Sequence, residues 1–172
     1  MKKIASLTLT LAFLFIVGVG KSQTTITAQD SIAEQNLKNG VEFLAKNRTL
    51  EGVVELPSGL QYKILEKGSG LQPTSQYDTV TVHYRGTLID GTQFDSSYDR
   101  NSPSSFALNR VIQGWGEGFQ YLKEGTKAIL YIPAHLAYGT RQRGEIILPN
   151  SVLIFEVELI QVSQAVTDQP NN

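Results

Sequence analysis

The sequence predicts an α+β domain in which an antiparallel β-sheet folds around one short α-helix. Three observations carry that expectation. Between Val111 and Gly125, the residues Ile112, Trp115, Phe119 and Leu122 recur at helical spacing and make one helix face apolar. The segments on either side alternate apolar and polar residues with period two, as half-buried strands do. Gly116 and Gly118 inside the helix each cost roughly 1 kcal/mol relative to Ala, so tertiary contacts must hold it, with Trp115 at the contact. Gly125 sits where a left-handed C-terminal cap belongs. The glycines also spell a G-x-G-x-G pattern, but no βαβ unit surrounds it and Trp115 fills the space a phosphate cradle needs.

The N-terminus is not part of this fold. Lys2 and Lys3 precede an apolar run from Ile4 to Val19, followed by Gly20 and Ser22, which reads as a secretory signal peptide over residues 1–22. The protein is therefore expected to be exported, periplasmic or secreted. It has no cysteine, so it is expected neither to be a lipoprotein nor to carry disulfides. Cleavage after Ser22 deletes Lys2, Lys3 and Lys21 and no acidic residue. The 15 basic residues become 12 against 16 acidic ones, a formal charge of −4. That balance points away from nucleic acid and from anionic membranes. Two histidines, His83 and His135, without cysteine speak against a zinc site. The remaining chain, roughly 150 residues, is one domain's worth.

Residues 23–50 form a linker and a short helix. Ser31 followed by Glu34 is a capping-box pattern, and Ala33, Leu37, Val41 and Leu44 mark a narrow apolar stripe over 31–46. Two readings of the stripe stand level: packing on its own domain, or forming a homodimer arm. The main domain is expected over 51–163. Leu60–Ile64 alternates as a strand, and Gly68-Ser69-Gly70 follows as a turn. In the next strand Val80, Val82 and Tyr84 point one way, while Thr79, Thr81, His83 and Arg85 point the other. Asp90-Gly91 is a hairpin turn leading to a short segment, Thr92–Asp95. A polar loop from Ser96 to Ser104 precedes a brief strand at Phe106 and the central helix. Lys127–Ile132 is a strand stopped by Pro133. The long segment 134–150 reads as a functional loop, and Val152–Val162 as the last strand. Five strands are expected in all, and residues 164–172 are expected to form a polar, disordered tail.

No nucleophile motif of a hydrolase is present. Instead, aromatic and aliphatic residues gather at element boundaries with few polar companions, as in a pocket for a small ligand or a peptide side chain. Five segments carry a resemblance: Val82-His83-Tyr84-Arg85-Gly86, Gly91–Ser97 around Phe94-Asp95, Val111-Ile112-Gln113-Gly114-Trp115, Leu136-Ala137-Tyr138-Gly139 and Ile154–Leu159. In this order and spacing, over about 110 residues, they resemble the FKBP-type peptidyl-prolyl cis-trans isomerases. The lead-in from Glu51 to Tyr62 is similar to that of the exported bacterial branch, which includes the Mip and FkpA proteins.

The resemblance implies a half-open antiparallel sheet wrapped around one short helix. It also implies an isomerase of X–Pro bonds in exported, proline-containing polypeptides, without cofactor or metal. It gives Trp115 the pocket floor and Tyr84, Phe94, Phe106, Val111, Ile112 and Phe155 the walls. Ile147 and Tyr138 would close the mouth. The Ile112 N–H and the Tyr138 hydroxyl would bind substrate carbonyls, and Asp95 would lie beside the twisted amide. Macrolide inhibitors such as rapamycin are implied as ligands. Two departures bear on this. Ser104 stands where the family often has an aromatic residue, which opens one pocket edge and weakens macrolide binding. Arg143 stands where many members carry His. A holdase chaperone using the same groove without turnover is the alternative function. His83 lies on the polar strand face and is expected to be solvated.

Overall fold

A computed structural model of the chain describes residues 28–165. The expected leader at 1–22 and the tail beyond residue 165 lie outside the described residues. Helix α1 spans Ala28–Asn47 and strand β1 Val53–Glu55. Strands β2 (Gln61–Glu66), β3 (Thr79–Thr87), β4 (Gln93–Ser96) and β5 (Ser104–Ala107) follow. Helix α2 (Gln113–Gly118), β6 (Lys127–Ile132) and β7 (Leu153–Ser163) complete the domain. The seven strands form one antiparallel sheet in the order β1-β2-β6-β7-β3-β4, with β5 also paired to β3.

β4 and β5 share one edge of β3. β5 pairs with Thr79–Val82 and β4 with Arg85–Thr87, so the chain between them leaves the sheet as a loop at 97–103. The sheet has two more strands than expected. Val53–Glu55 is short and largely exposed, with no alternation to reveal it, and pairs with β2 along the backbone and through the Gln61–Glu55 side-chain bond. The Asp90-Gly91 hairpin forms as the sequence predicts. Gly91 adopts a φ of +87°, and Asp90 accepts from the Thr92 N–H at 2.9 Å.

The apolar face of the central segment is buried as its spacing predicts, with Trp115, Phe119 and Leu122 at 4 %, 0 % and 1 % exposure. The helix is shorter than that spacing: after six residues it tightens into a 3-10 turn at Phe119–Tyr121. Gly125 has a φ of +84°, but its N–H goes to Leu159 O at 2.7 Å. It is therefore a turn residue that ties the helix exit to β7, not an immediate cap. The glycines follow from close packing. A Cβ at Gly114 would lie 2.4 Å from Cγ2 of the fully buried Ile132. Contact with the sheet selects glycine there over helix propensity.

α1 packs on its own domain, but not through the stripe that the periodicity marks. Leu37 and Val41 are 53 % and 61 % exposed. The face turned inward carries Asn36, Gly40, Phe43 and Asn47, a four-and-three spacing of small, polar and one aromatic residue. Asn47 donates to Gln61 Oε1 at 2.8 Å, and the fully buried Gln61 donates to Leu44 O at 2.9 Å and Glu55 Oε2 at 2.6 Å. The helix is recruited by hydrogen bonds to buried polar groups, so hydrophobic spacing does not report its docking face.

Asp78, also buried, ties three segments together. Its carboxylate accepts from the N–H groups of Thr74 (2.8 Å), Ser75 (2.9 Å) and Ala165 (2.8 Å), while its carbonyl accepts from Leu108 N–H. Gln164 and Ala165, expected to begin a disordered tail, are instead bound to the domain by hydrogen bonds to Gln72 and Asp78. Burial pushes the Asp78 carboxyl up, but the Ala165, Thr74 and Ser75 bonds outweigh it and hold it below the ordinary carboxylate value.

Gly114→Ala is expected to destabilise the domain by about 1–3 kcal/mol in denaturant unfolding, although alanine is the better helix former. Asp78→Asn should cost on the order of 1–3 kcal/mol at pH 7. Because the folded carboxyl is the stronger acid, its contribution is fully present above the unfolded value near ~3.9 and fades as pH falls through the folded one. Unfolding curves of Asp78→Asn and the wild type should therefore converge below about pH 4.

Candidate active site

The apolar walls come from four strands, one helix and two loops, and their register explains why they meet. Gly86 of β3 stands opposite Phe155 of β7 on one side and Asp95 of β4 on the other. The missing side chain makes room for two rings: a Cβ at Gly86 would lie 2.4 Å from Phe94 Cε2 and 2.9 Å from Phe155 Cε1. Two residues earlier on the same face, Tyr84 points into the same space. α2 supplies Trp115 and β5 supplies Phe106. Val111 and Ile112 precede α2, while Tyr138 and Ile147 lie on the 134–150 loop.

Trp115 is the centre of the aromatic cluster. Tyr84, Phe106, Phe119 and Phe155 meet it edge-to-face at centroid distances of 5.2, 5.3, 5.1 and 5.1 Å, all within 20° of perpendicular. Phe94 leans on Phe155 at 5.4 Å and 82°. These are the favoured geometries of quadrupolar rings. The Trp115 indole N–H is the one buried side-chain nitrogen or oxygen among the described residues without a hydrogen-bond partner.

The structure brings all ten sequence-predicted residues to the wall of one cavity of about 1250 Å³: Tyr84, Phe94, Asp95, Phe106, Val111, Ile112, Trp115, Tyr138, Ile147 and Phe155. Ile112 is extended (φ −59°, ψ 148°), and its N–H has no acceptor among the described residues. The carbonyl of the same residue starts α2 by accepting from Trp115 N–H at 3.0 Å. The 134–150 loop is more regular than expected. A 3-10 turn covers Ala134–Leu136, and Arg143 N–H donates to Ile147 O at 2.8 Å, which folds the tip back over the mouth.

The polar edge holds a residue that sequence reasoning missed. The Tyr84 hydroxyl donates to Asp95 Oδ2 at 2.6 Å. Arg100 donates to Asp95 Oδ1 at 2.5 Å and to the Tyr84 oxygen at 2.8 Å. Arg100 also lies 5.6 Å from the centre of the Tyr84 ring. Burial pushes the Asp95 carboxyl up, but the bonds from Tyr84 and Arg100 prevail and hold it below the usual carboxylate range. Burial, and then the bond to Asp95, push the Tyr84 phenol up. At neutral pH Asp95 is therefore ionised and Tyr84 protonated, an arrangement that orients charge and transfers no proton. Arg100 gave no sequence signal. It lies in a polar loop, five residues from its partner, where neither strand nor helix period applies.

Ser97 was missed for the same reason. It is fully buried, accepts from Tyr84 N–H at 2.7 Å, and meets His83 Nδ1 at 3.0 Å. His83 lies off the pocket, as expected, but it is not simply solvated: its ring stacks on Tyr98 at 4.7 Å. The mouth carries three exposed cations, Arg110, Arg141 and Arg143, beside Glu145. Arg143 sits 6.0 Å from the Tyr138 ring centre. Among the described residues no group of three or more metal-ligating side chains forms a metal site.

Comparison with known proteins places this geometry. The family model for FKBP-type peptidyl-prolyl cis-trans isomerases matches residues 70–160, and a model for the domain amino-terminal to such isomerases matches 15–64. The FKBP-type isomerase FkpA of Aeromonas hydrophila is 45% identical over 150 residues, covering 87% of this chain and 55% of that protein. The crystal structure of FkpA from Escherichia coli superposes with a TM-score of 0.74 at 45% identity, over 78% of this chain and 62% of that one. A peptidyl-prolyl cis-trans isomerase structure from Pseudomonas syringae gives 0.71 at 39% identity, over 77% and 96%. The chain spans about half the length of the curated relatives it matches. With the fold, the five motifs and the family model in agreement, the chain belongs to the FKBP-type peptidyl-prolyl cis-trans isomerases.

Proposed function

We propose that this chain accelerates cis-trans rotation about X–Pro bonds of exported polypeptides. The observation that supports it most is the cavity itself: an aromatic floor and walls around Trp115, with unengaged donors at its rim and the Asp95 carboxylate held by Tyr84 and Arg100. Rotation about the peptide bond faces a barrier of ~18–20 kcal/mol from amide resonance. Water stabilises the polar planar amide more than the twisted, less polar transition state, and an apolar cavity removes that advantage. The proline ring sits on Trp115. The Ile112 N–H and the Tyr138 hydroxyl hold carbonyls on either side of the rotating bond. The ionised Asp95, fixed by Tyr84 and Arg100, faces the carbonyl carbon as conjugation is lost. The twisted form gains these contacts more than either planar isomer, which is the requirement for catalysis. No proton transfer or covalent intermediate is involved.

The substrate and setting follow from the same reading. The leader at 1–22 supports export to the periplasm or beyond, where newly translocated chains expose X–Pro bonds. The exposed Leu37 and Val41 on the outer face of α1 support homodimerisation through that helix. Macrolides such as rapamycin would occupy the same cavity, with the edge at Ser104 left open for want of an aromatic ring.

The purified mature chain should raise the rate of X–Pro isomerisation in a protease-coupled tetrapeptide assay, with preference for an apolar residue before proline. A buffer-level rate from folded protein that still binds peptide would favour the holdase alternative. Phe155→Ala opens a cavity under Trp115, so stability should fall by about 3–5 kcal/mol along with activity. Asp95→Ala removes a half-exposed ion pair and should cost no more than about 1 kcal/mol of stability while lowering kcat/KM. Melting midpoints and kcat/KM for both variants test that split. Because the Asp95 carboxyl is held below its ordinary range, kcat/KM should also be flat from pH 5 to 8, with any acid limb below about pH 4.

A further inference from the structure

The 134–150 loop brings Tyr138 and Ile147 to the mouth, and its far end does not rest on the sheet alone. Asn36 of α1 donates from Nδ2 to Pro149 O at 2.9 Å. Asn150 donates from Nδ2 to Ala33 O, back on α1, at 3.0 Å. The two amides form a reciprocal clamp between one turn of the helix and the last two residues of the loop. One residue type serves both ends because a carboxamide presents a donor to a backbone carbonyl and carries no charge to desolvate.

Asn150 also turns the chain at the end of the loop. Its φ of +62° lies in the left-handed region, and its own N–H donates to Gly139 O at 2.8 Å, next to Tyr138. A continuous path of hydrogen bonds therefore runs from the α1 backbone through the Asn150 side chain and main chain to the Gly139 carbonyl, one residue past Tyr138. Asn36 acts on the other branch, two residues from Ile147. The helix approaches closely enough for this only because residue 40 has no side chain: a Cβ there would lie 2.8 Å from Val152 Cγ2. Phe43 against Tyr131 at 6.1 Å, and Asn47 on Gln61, fix the other end of the helix.

We propose that α1 is a positioning element of the catalytic pocket, with Asn36 and Asn150 as the positioning residues that hold the Tyr138 loop in its working pose. For its catalytic consequence this rests on the isomerase reading above. It goes beyond that reading in giving the N-terminal helix a part in the chemistry of the C-terminal domain, although every pocket-lining residue lies past residue 50. The clamp acts through pose: α1 touches no reacting atom.

Two variants of the full mature chain separate the effects. Asn36→Ala removes one bond, and Asn150→Gly removes the other while keeping a residue at ease with positive φ. Amide hydrogen exchange and kcat/KM on a short X–Pro peptide are measured for each, and again in a Tyr138→Phe background. Faster exchange confined to 139–150 is expected, with kcat/KM lower by about 3- to 10-fold, the scale of one or two lost neutral hydrogen bonds. In the Tyr138→Phe background the further loss should largely vanish, since residues acting in one path are not additive. Unchanged loop exchange overturns the proposal, as does a freed loop with unchanged kcat/KM, or a loss that multiplies independently of Tyr138→Phe. Should one variant fail to fold, the other decides alone. An inactive wild type would sink the isomerase reading, whereas loop exchange would still decide whether α1 holds the loop.

Discussion

The contact on which this structure depends is the edge-to-face packing of four rings around Trp115. Tyr84, Phe106, Phe119 and Phe155 come from three strands and the 3-10 turn after α2, so the indole is the point at which separate elements are brought into register. Each ring presents an edge to a face, and together they leave a concave apolar surface instead of a filled core. Core and pocket are thus the same object. The α2 backbone has to lie almost on the sheet for the indole to reach it, which is why glycine occupies position 114 against the fully buried Ile132.

Beside that apolar surface, the polar groups are immobilised in two different ways. Tyr84, Asp95 and Arg100 satisfy one another in a closed triangle, so the carboxylate is charged, oriented and unavailable as a base. Ile112 N–H is unengaged because the chain turns from extended into helical at that residue, which orphans a donor at the helix start. The proposed rotation, which needs only a change in amide geometry, would be served by this division: fixed charge on one side and a free donor on the other.

The N-terminal helix shows how a polar interface can do what an apolar one cannot. A hydrophobic stripe packs without direction, whereas Asn36, Asn47, Gln61 and Asn150 bond to named backbone or amide atoms and so set register as well as proximity. That choice leaves Leu37 and Val41 on the outside. One helix therefore offers two faces of different character: a directional one toward its own domain, and an apolar one away from it.

The sequence by itself determined the fold class, the strand periodicities, the Asp90-Gly91 hairpin, the buried Trp115–Phe119–Leu122 face and ten of the residues that line the cavity. These are legible because alternation, helical spacing and turn chemistry are local, and because the motifs fall in a family's order. Tertiary structure alone decided the rest. Arg100 reaches Asp95 and Tyr84, and Ser97 braces the Tyr84 backbone, through loop geometry that has no period. β1 forms because β2 offers an open edge, not because Val53–Glu55 has a strand pattern. α2 gives way to a 3-10 turn at Phe119–Tyr121, although the helical spacing in the sequence runs on to Leu122. The docking face of α1 is set by carboxamides meeting carbonyls more than a hundred residues away, and hydrogen bonds over that separation leave no trace in hydrophobic spacing.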